Sequence, residues 1–70
     1  MKINNPSEFG KALRERRKKL GYTQKYISEY TGLSVSFISD LENGKKTIEI
    51  GKSFEYAKLL GLNIELNERI

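Results

Sequence analysis

Apolar residues along this chain fall into four stretches of helical spacing and one stretch of strict alternation. Phe9, Leu13 and Leu20 lie on one helical face with Ala12 beside them. Asn5 can cap this segment, Pro6 suits the first helical position, and Glu8 stands three residues past the cap, as in a capping box. The pattern predicts a first helix beginning at Asn5 and stopped by Gly21. Thr23 and Ser34 look like two copies of one start signal. Tyr22 precedes Thr23 and Ile27 follows it by four; Leu33 precedes Ser34 and Ile38 follows it by four. Each set reads as a cap with a hydrophobic staple. The second helix is then short and ends in a tight turn at Thr31-Gly32-Leu33, where glycine supplies a positive φ at little steric cost.

A third helix is expected from Val35 to Glu42, stopping at Asn43-Gly44. Ile38 and Leu41 face inward; Ser36, Ser39, Asp40 and Asn43 face outward. That outer face is poor in helix-forming residues, and its short polar side chains suit a surface that lies close against something. A fourth helix is expected from about Ile50 to Leu60, with Ile50, Phe54, Ala57 and Leu60 inward and Gly61 ending it. Its start is poorly signalled, because Glu49 is a weak cap and Gly51 a poor helix former. Leu62, Ile64 and Leu66 then alternate with Asn63, Glu65 and Asn67, which predicts a strand. Residues 1–61 thus form a helical domain, and residues 62–70 a terminal strand and the end of the chain. A lone strand must pair with Met1-Lys2-Ile3 of its own chain or with a strand of another molecule.

Composition narrows the function. The chain has 70 residues, 37% of them hydrophobic, enough for one small core. It has no Cys and no His. Disulfides and Cys-type zinc sites are excluded, and the commonest general base is missing. Asp40 and Glu42 stand two apart on a helix and point different ways, so they make no acid–base pair. There is no Gly-rich phosphate loop. The expectation is a protein that is not an enzyme and needs no metal or cofactor. Apolar runs reach only two or three residues, too few to span a membrane, and the N-terminus has no apolar signal segment. A cytoplasmic location is expected.

The net charge is +4, but it is segregated. Residues 1–25 hold eight basic and two acidic side chains, and residues 26–44 hold three acidic and no basic ones. Residues 45–61 hold four basic and two acidic side chains. Two basic segments flanking an acidic one suggest a polyanion touched at two places.

Two short helices around a glycine turn, preceded by a basic helix, make a helix-turn-helix pattern. Thr23-Gln24, Ile27, Gly32-Leu33-Ser34, Ile38-Ser39 and Leu41-Glu42-Asn43-Gly44-Lys45 resemble the signature of the Xre and Cro class of phage-repressor DNA-binding domains. The resemblance covers about residues 9–61 and implies an all-α, four-helix, lambda-repressor-like domain. It further implies a transcriptional regulator of double-stranded DNA. The helix from Val35 would lie in the major groove, with Ser34, Val35, Ser36, Ser39 and Asp40 at base-reading positions. Thr23 and Gln24 would meet phosphate at a helix N-terminus, and Asn43, Lys45 and Lys46 would hold the backbone. Thr23 and Ser34 also serve as caps. Asp40 can accept from a cytosine amino group or pair with a Lys or Arg. The face has no Arg, Lys or Gln for the common bidentate base pairs, so phosphate contacts and DNA shape should carry much of the affinity. Arg17 and Glu42 match an ion pair that, in this class, ties the first helix to the recognition helix; helical geometry alone leaves Arg16 and Arg17 as equal candidates. Tyr26, Tyr30, Phe37 and Tyr56 are expected at the edge of the core.

The run Gly61-Leu62-Asn63-Ile64-Glu65-Leu66, with the opening Lys2-Ile3 and Pro6-Ser7, is similar to HipB-type antitoxins. That resemblance implies a homodimer joined by strands through Leu62, Ile64 and Leu66, a palindromic operator, and autorepression. It also implies a HipA-like toxin kinase as partner. The same fold can instead present its Ser34–Asn43 face to a protein, as an interaction module with little DNA affinity. Its acidity favours this second use, and the basic first helix opposes it.

Overall fold

Local start and stop signals set the helix boundaries, and the computed structural model describes all residues, 1–70. Asn5 accepts from the Glu8 amide, Thr23 from Tyr26 and Ser34 from Phe37, each satisfying a first-turn N–H that has no partner within the helix. They open α1 (Pro6–Lys19), α2 (Gln24–Thr31) and α3 (Val35–Glu42); α4 spans Ile50–Leu59. Glu49 is a stronger cap than expected. Its carboxylate accepts from the amides of Gly51 at 2.9 Å and Lys52 at 2.6 Å. A carboxylate has two acceptor oxygens and suits the positive end of the helix dipole. Gly32 takes positive φ, as expected, and so do Gly21, Gly44 and Gly61 at the other helix stops.

The core is Leu13, Ile27, Ile38, Leu41, Tyr56, Ala57 and Leu60, with Phe9, Leu33, Phe37, Ile48 and Leu62 packed against it. The inward stripe of α4 differs from the expectation. Ile50 is 64% exposed and Phe54 42%, whereas Ser53 and Tyr56 are fully buried. Positions 53, 56, 57 and 60 form a continuous helical stripe once a serine and a tyrosine are allowed to face inward. Leu20 is also exposed rather than inward. Phe37 packs on the core as expected, with Lys52 Nζ 6.0 Å from its ring centre.

Gly10 makes the closest approach in the fold. A Cβ there would stand 2.7 Å from the Glu42 carbonyl oxygen and would also strike that of Leu41. The backbone of α1 therefore lies directly on the end of α3, at a position that only glycine can occupy.

No strand forms within the chain. Residues 63–70 have no regular structure, and Leu62 is part of the stop of α4, its amide bonded to Ala57 O at 3.0 Å. Ile64 and Leu66 are exposed, and no backbone bond joins this segment to Met1-Lys2-Ile3. Residues 1–3 lie instead beside Glu8, Lys11 and Glu15 of α1. An alternating segment becomes a strand only when a neighbour supplies the opposite ladder, and this chain alone supplies none. No helix is long and apolar enough to cross a membrane.

Candidate nucleic-acid interface

α3 presents one polar face to solvent. Val35, Ser36 and Asn43 are exposed; Ser39 and Asp40 are half-buried. Residues 36, 39, 40 and 43 share a side of the helix by its period, and Ile38 and Leu41 anchor the opposite side in the core. Ser34 begins this helix, its hydroxyl oxygen occupied by the Phe37 amide at 2.9 Å. Asn43 Nδ2 donates to Ser39 Oγ at 3.4 Å. The chain then turns at Gly44, and the Lys45 amide returns to Asp40 O at 3.0 Å. This turn brings Lys45 Nζ to 3.5 Å from Asp40 Oδ2. Both groups are about half-exposed, so this pair places the lysine more than it stabilises the fold. Lys46 is exposed in the same loop.

A buried polar network fixes the orientation of α3. Arg17 donates to Glu42 through Nε at 2.7 Å and through Nη2 at 2.9 Å, a bidentate pair. This decides between the two arginines: Arg17 takes the carboxylate, while Arg16 Nε donates to Leu60 O at 2.8 Å and caps the end of α4. Arg17 Nη1 also holds Tyr22 O at 2.8 Å, tying down the turn before α2. Tyr56 OH donates to Glu42 Oε2 at 2.6 Å, and Gln24 Nε2 to Glu42 Oε1 at 3.1 Å. One carboxylate thus joins all four helices. No buried side-chain polar atom lacks a partner, as a buried charge requires.

The family resemblance puts Gln24 at DNA phosphate, and the residue pattern puts Tyr56 at the edge of the core. Tyr56 is instead a central core residue, and Gln24 is half-buried with one amide N–H given to Glu42. Its second N–H and its oxygen stay available beside Thr23, the cap of α2, whose Oγ1 accepts from Tyr26 at 3.0 Å. The inward face of α4 held the signal for Tyr56, but Ile50 and Phe54 outweighed it. Tyr26 and Tyr30 do not pack at the core edge. They are exposed and stack with Tyr22 along α2, at centroid spacings of 5.2 and 6.3 Å.

Burial desolvates Glu42 and by itself pushes its carboxyl upward; hydrogen bonds from Arg17, Tyr56 and Gln24 outweigh this and hold it below the usual glutamate value. The hydrogen bond to Glu42 pushes Arg17 up. Burial, then the bond to Glu42, pushes the Tyr56 phenol up. A depressed carboxyl stabilises the fold above its unfolded value, about 4.3, and that stability is lost as pH falls through the lower folded value. A raised phenol stabilises the fold below its unfolded value, about 10, and that stability is lost as pH rises toward the higher folded value. Urea midpoints should therefore hold steady near neutrality and fall at both extremes. Tyr56→Phe should make the alkaline decline shallower. An unchanged alkaline decline would remove Tyr56 from this account.

Residues 13–67 match the helix-turn-helix family HTH_3. The chain is 34% identical over 65 residues to the uncharacterized HTH-type transcriptional regulator y4mF of Sinorhizobium fredii, covering 93% of this chain and 86% of that protein. Two solved structures have the same architecture: the HipB-O4 20mer complex and the HipA-HipB-O2-O3 complex. Each superposes with a TM-score of 0.87 at 25% identity, over 97% of this chain and 96% of the other. With its capped α2 and α3, its glycine turn and its polar α3 face, this chain belongs to the helix-turn-helix family of DNA-binding transcriptional regulators.

Proposed function

We propose that this chain is a homodimeric repressor that reads a palindromic operator, regulates its own operon and acts as the antitoxin of a HipA-like kinase. The observation that carries the DNA reading is the polar α3 face, aimed as a rigid unit by the buried Arg17–Glu42–Tyr56 network. In this reading Val35, Ser36, Ser39 and Asp40 face base edges. Thr23, Gln24 and Ser34 meet phosphate or base at helix starts, and Asn43, Lys45 and Lys46 follow the backbone. The likeness to HipB in its 20mer and HipA complexes supports the DNA and toxin partners. Exposed Ile64 and Leu66, beside Phe54, Lys58 and Leu62, support a dimer in which residues 62–66 pair with the same residues of a second copy. Two recognition helices then fall about one DNA turn apart, or a multiple of it. Such a regulator works in the cytoplasm.

The test is selection from random duplexes at near-physiological salt. An enriched inverted repeat is the expected result, and its half-site spacing measures the dimer. No duplex binding would favour the second reading, a protein-interaction module, which the carboxylate on the α3 face and the absence of Arg or Gln there favour. On the selected duplex, Lys45→Ala should weaken binding and reduce the slope of log affinity against log salt by about one. Gln24→Ala should weaken binding to all sequences alike. Unchanged affinity in both variants would remove the α2 start and the loop from the interface.

A further inference from the structure

Asp40 is the one charged side chain on the outer face of α3, since Glu42 is buried in the network. It stands four residues after Ser36, on the same side of the helix, and next to Ser39. Its oxygens are not used up within the fold. Oδ2 meets only Lys45, at 3.5 Å and half-exposed. On the DNA-binding reading above, a carboxylate here would enter a groove lined by phosphates, where it must gain a donor or repel the duplex.

The identity of that donor follows from the base edges. A carboxylate accepts and cannot donate. In the major groove the exocyclic amino groups of cytosine and adenine are the hydrogen-bond donors. Adenine sets its amino group beside the N7 acceptor, which faces a second carboxylate oxygen with like partial charge. Cytosine sets its amino group beside the C5–H edge, which carries no such acceptor. An acceptor-only side chain therefore favours cytosine, whereas an amide, with one donor and one acceptor, favours adenine.

Resting on the DNA-binding reading above, we propose that Asp40 determines specificity by accepting a hydrogen bond from a cytosine amino group, once in each half-site. The same carboxylate penalises binding where no amino group meets it, because phosphate repulsion is then uncompensated. Lys45 is part of this device. Its half-exposed ammonium stands 3.5 Å from Asp40 Oδ2, so it can release Asp40 to the base and turn to a phosphate. The serines beside Asp40 contact many bases, and the discrimination on this face concentrates at one side chain.

Asp40→Asn is nearly isosteric and leaves the core untouched, so the fold should be kept. Wild type and variant are selected in parallel from random duplexes at one salt concentration, and each is then titrated with a scrambled duplex. Wild type should enrich cytosine at one position of each half-site. The variant should lose that preference or change it to adenine, with a discrimination change of about tenfold at that position. Its affinity for the scrambled duplex should rise several-fold. Identical base preferences in the two proteins would overturn the proposal and leave Asp40 as a neutralising partner of Lys45. A wild type that binds no duplex would overturn the DNA-binding reading itself.

Discussion

Glu42→Ala should leave a large fraction of the protein, about half, unfolded at room temperature. The carboxylate accepts four hydrogen bonds, two from Arg17 and one each from Tyr56 and Gln24. Its removal leaves a guanidinium that is 7% exposed without its counter-charge and a fully buried phenol without an acceptor. Breaking a buried pair from one side costs about 3–5 kcal/mol. A core of this size rarely supplies more than about 3–5 kcal/mol in total. The loss and the reserve are therefore comparable. Helical circular dichroism followed through a urea titration should start part-way down the transition for the variant, with no native baseline. Replacing both charges, as Arg17→Met with Glu42→Leu, should recover much of the loss, since no buried charge is then left alone. A single variant that keeps the wild-type midpoint would show that the network only orients α3.

Gly10→Ala should destabilise by about 2 kcal/mol or more, against the usual rule for helices. In an ordinary helix interior the change gains about 1 kcal/mol. Here the new methyl group meets the carbonyl oxygens of Leu41 and Glu42, which belong to backbone and cannot rotate away. Relief requires α1 to move off α3. The same two helices carry Arg17 and Glu42, so the shift also stretches the ion pair. Lys11→Ala, one position on and exposed, is the control and should change little. A Gly10→Ala protein as stable as wild type would mean that the contact between these helices yields easily.

Features written in neighbouring residues were legible in the sequence. The caps Asn5, Thr23 and Ser34 act within one turn, and their amide partners stand where the spacing put them. The polar α3 face was legible for the same reason. The pairing of Glu42 with Arg17 came from the family resemblance, whereas helical geometry alone left Arg16 an equal candidate until packing placed it on Leu60 O. Features that depend on distant chain were not legible. Tyr56 is inward because Glu42 waits there with an acceptor, and Ile50 is outward because nothing covers it. Gly10 gives no local sign of the backbone lying on it. The alternation from Leu62 to Leu66 predicts a strand, but no segment of this chain supplies its opposite ladder. For the interface, side-chain types on α3 were readable, whereas the sharing of Gln24 between Glu42 and the outer surface was not.

The stacked tyrosines of α2 give the molecule an optical signature. The chain has no Trp and four Tyr, so its longest-wavelength absorption and its emission come from tyrosine. Three of the four lie in one ladder, with interplanar angles of 23° and 17°. Rings held this close and this nearly parallel couple their transitions, and the coupling is lost when the helix frays. The fourth, Tyr56, donates to a carboxylate, an arrangement that dims tyrosine emission by drawing off the excited-state proton. Unfolding thus has two separate readouts in the unlabelled protein. Near-ultraviolet dichroism follows α2, and the recovery of fluorescence follows the breaking of the bond between α3 and α4.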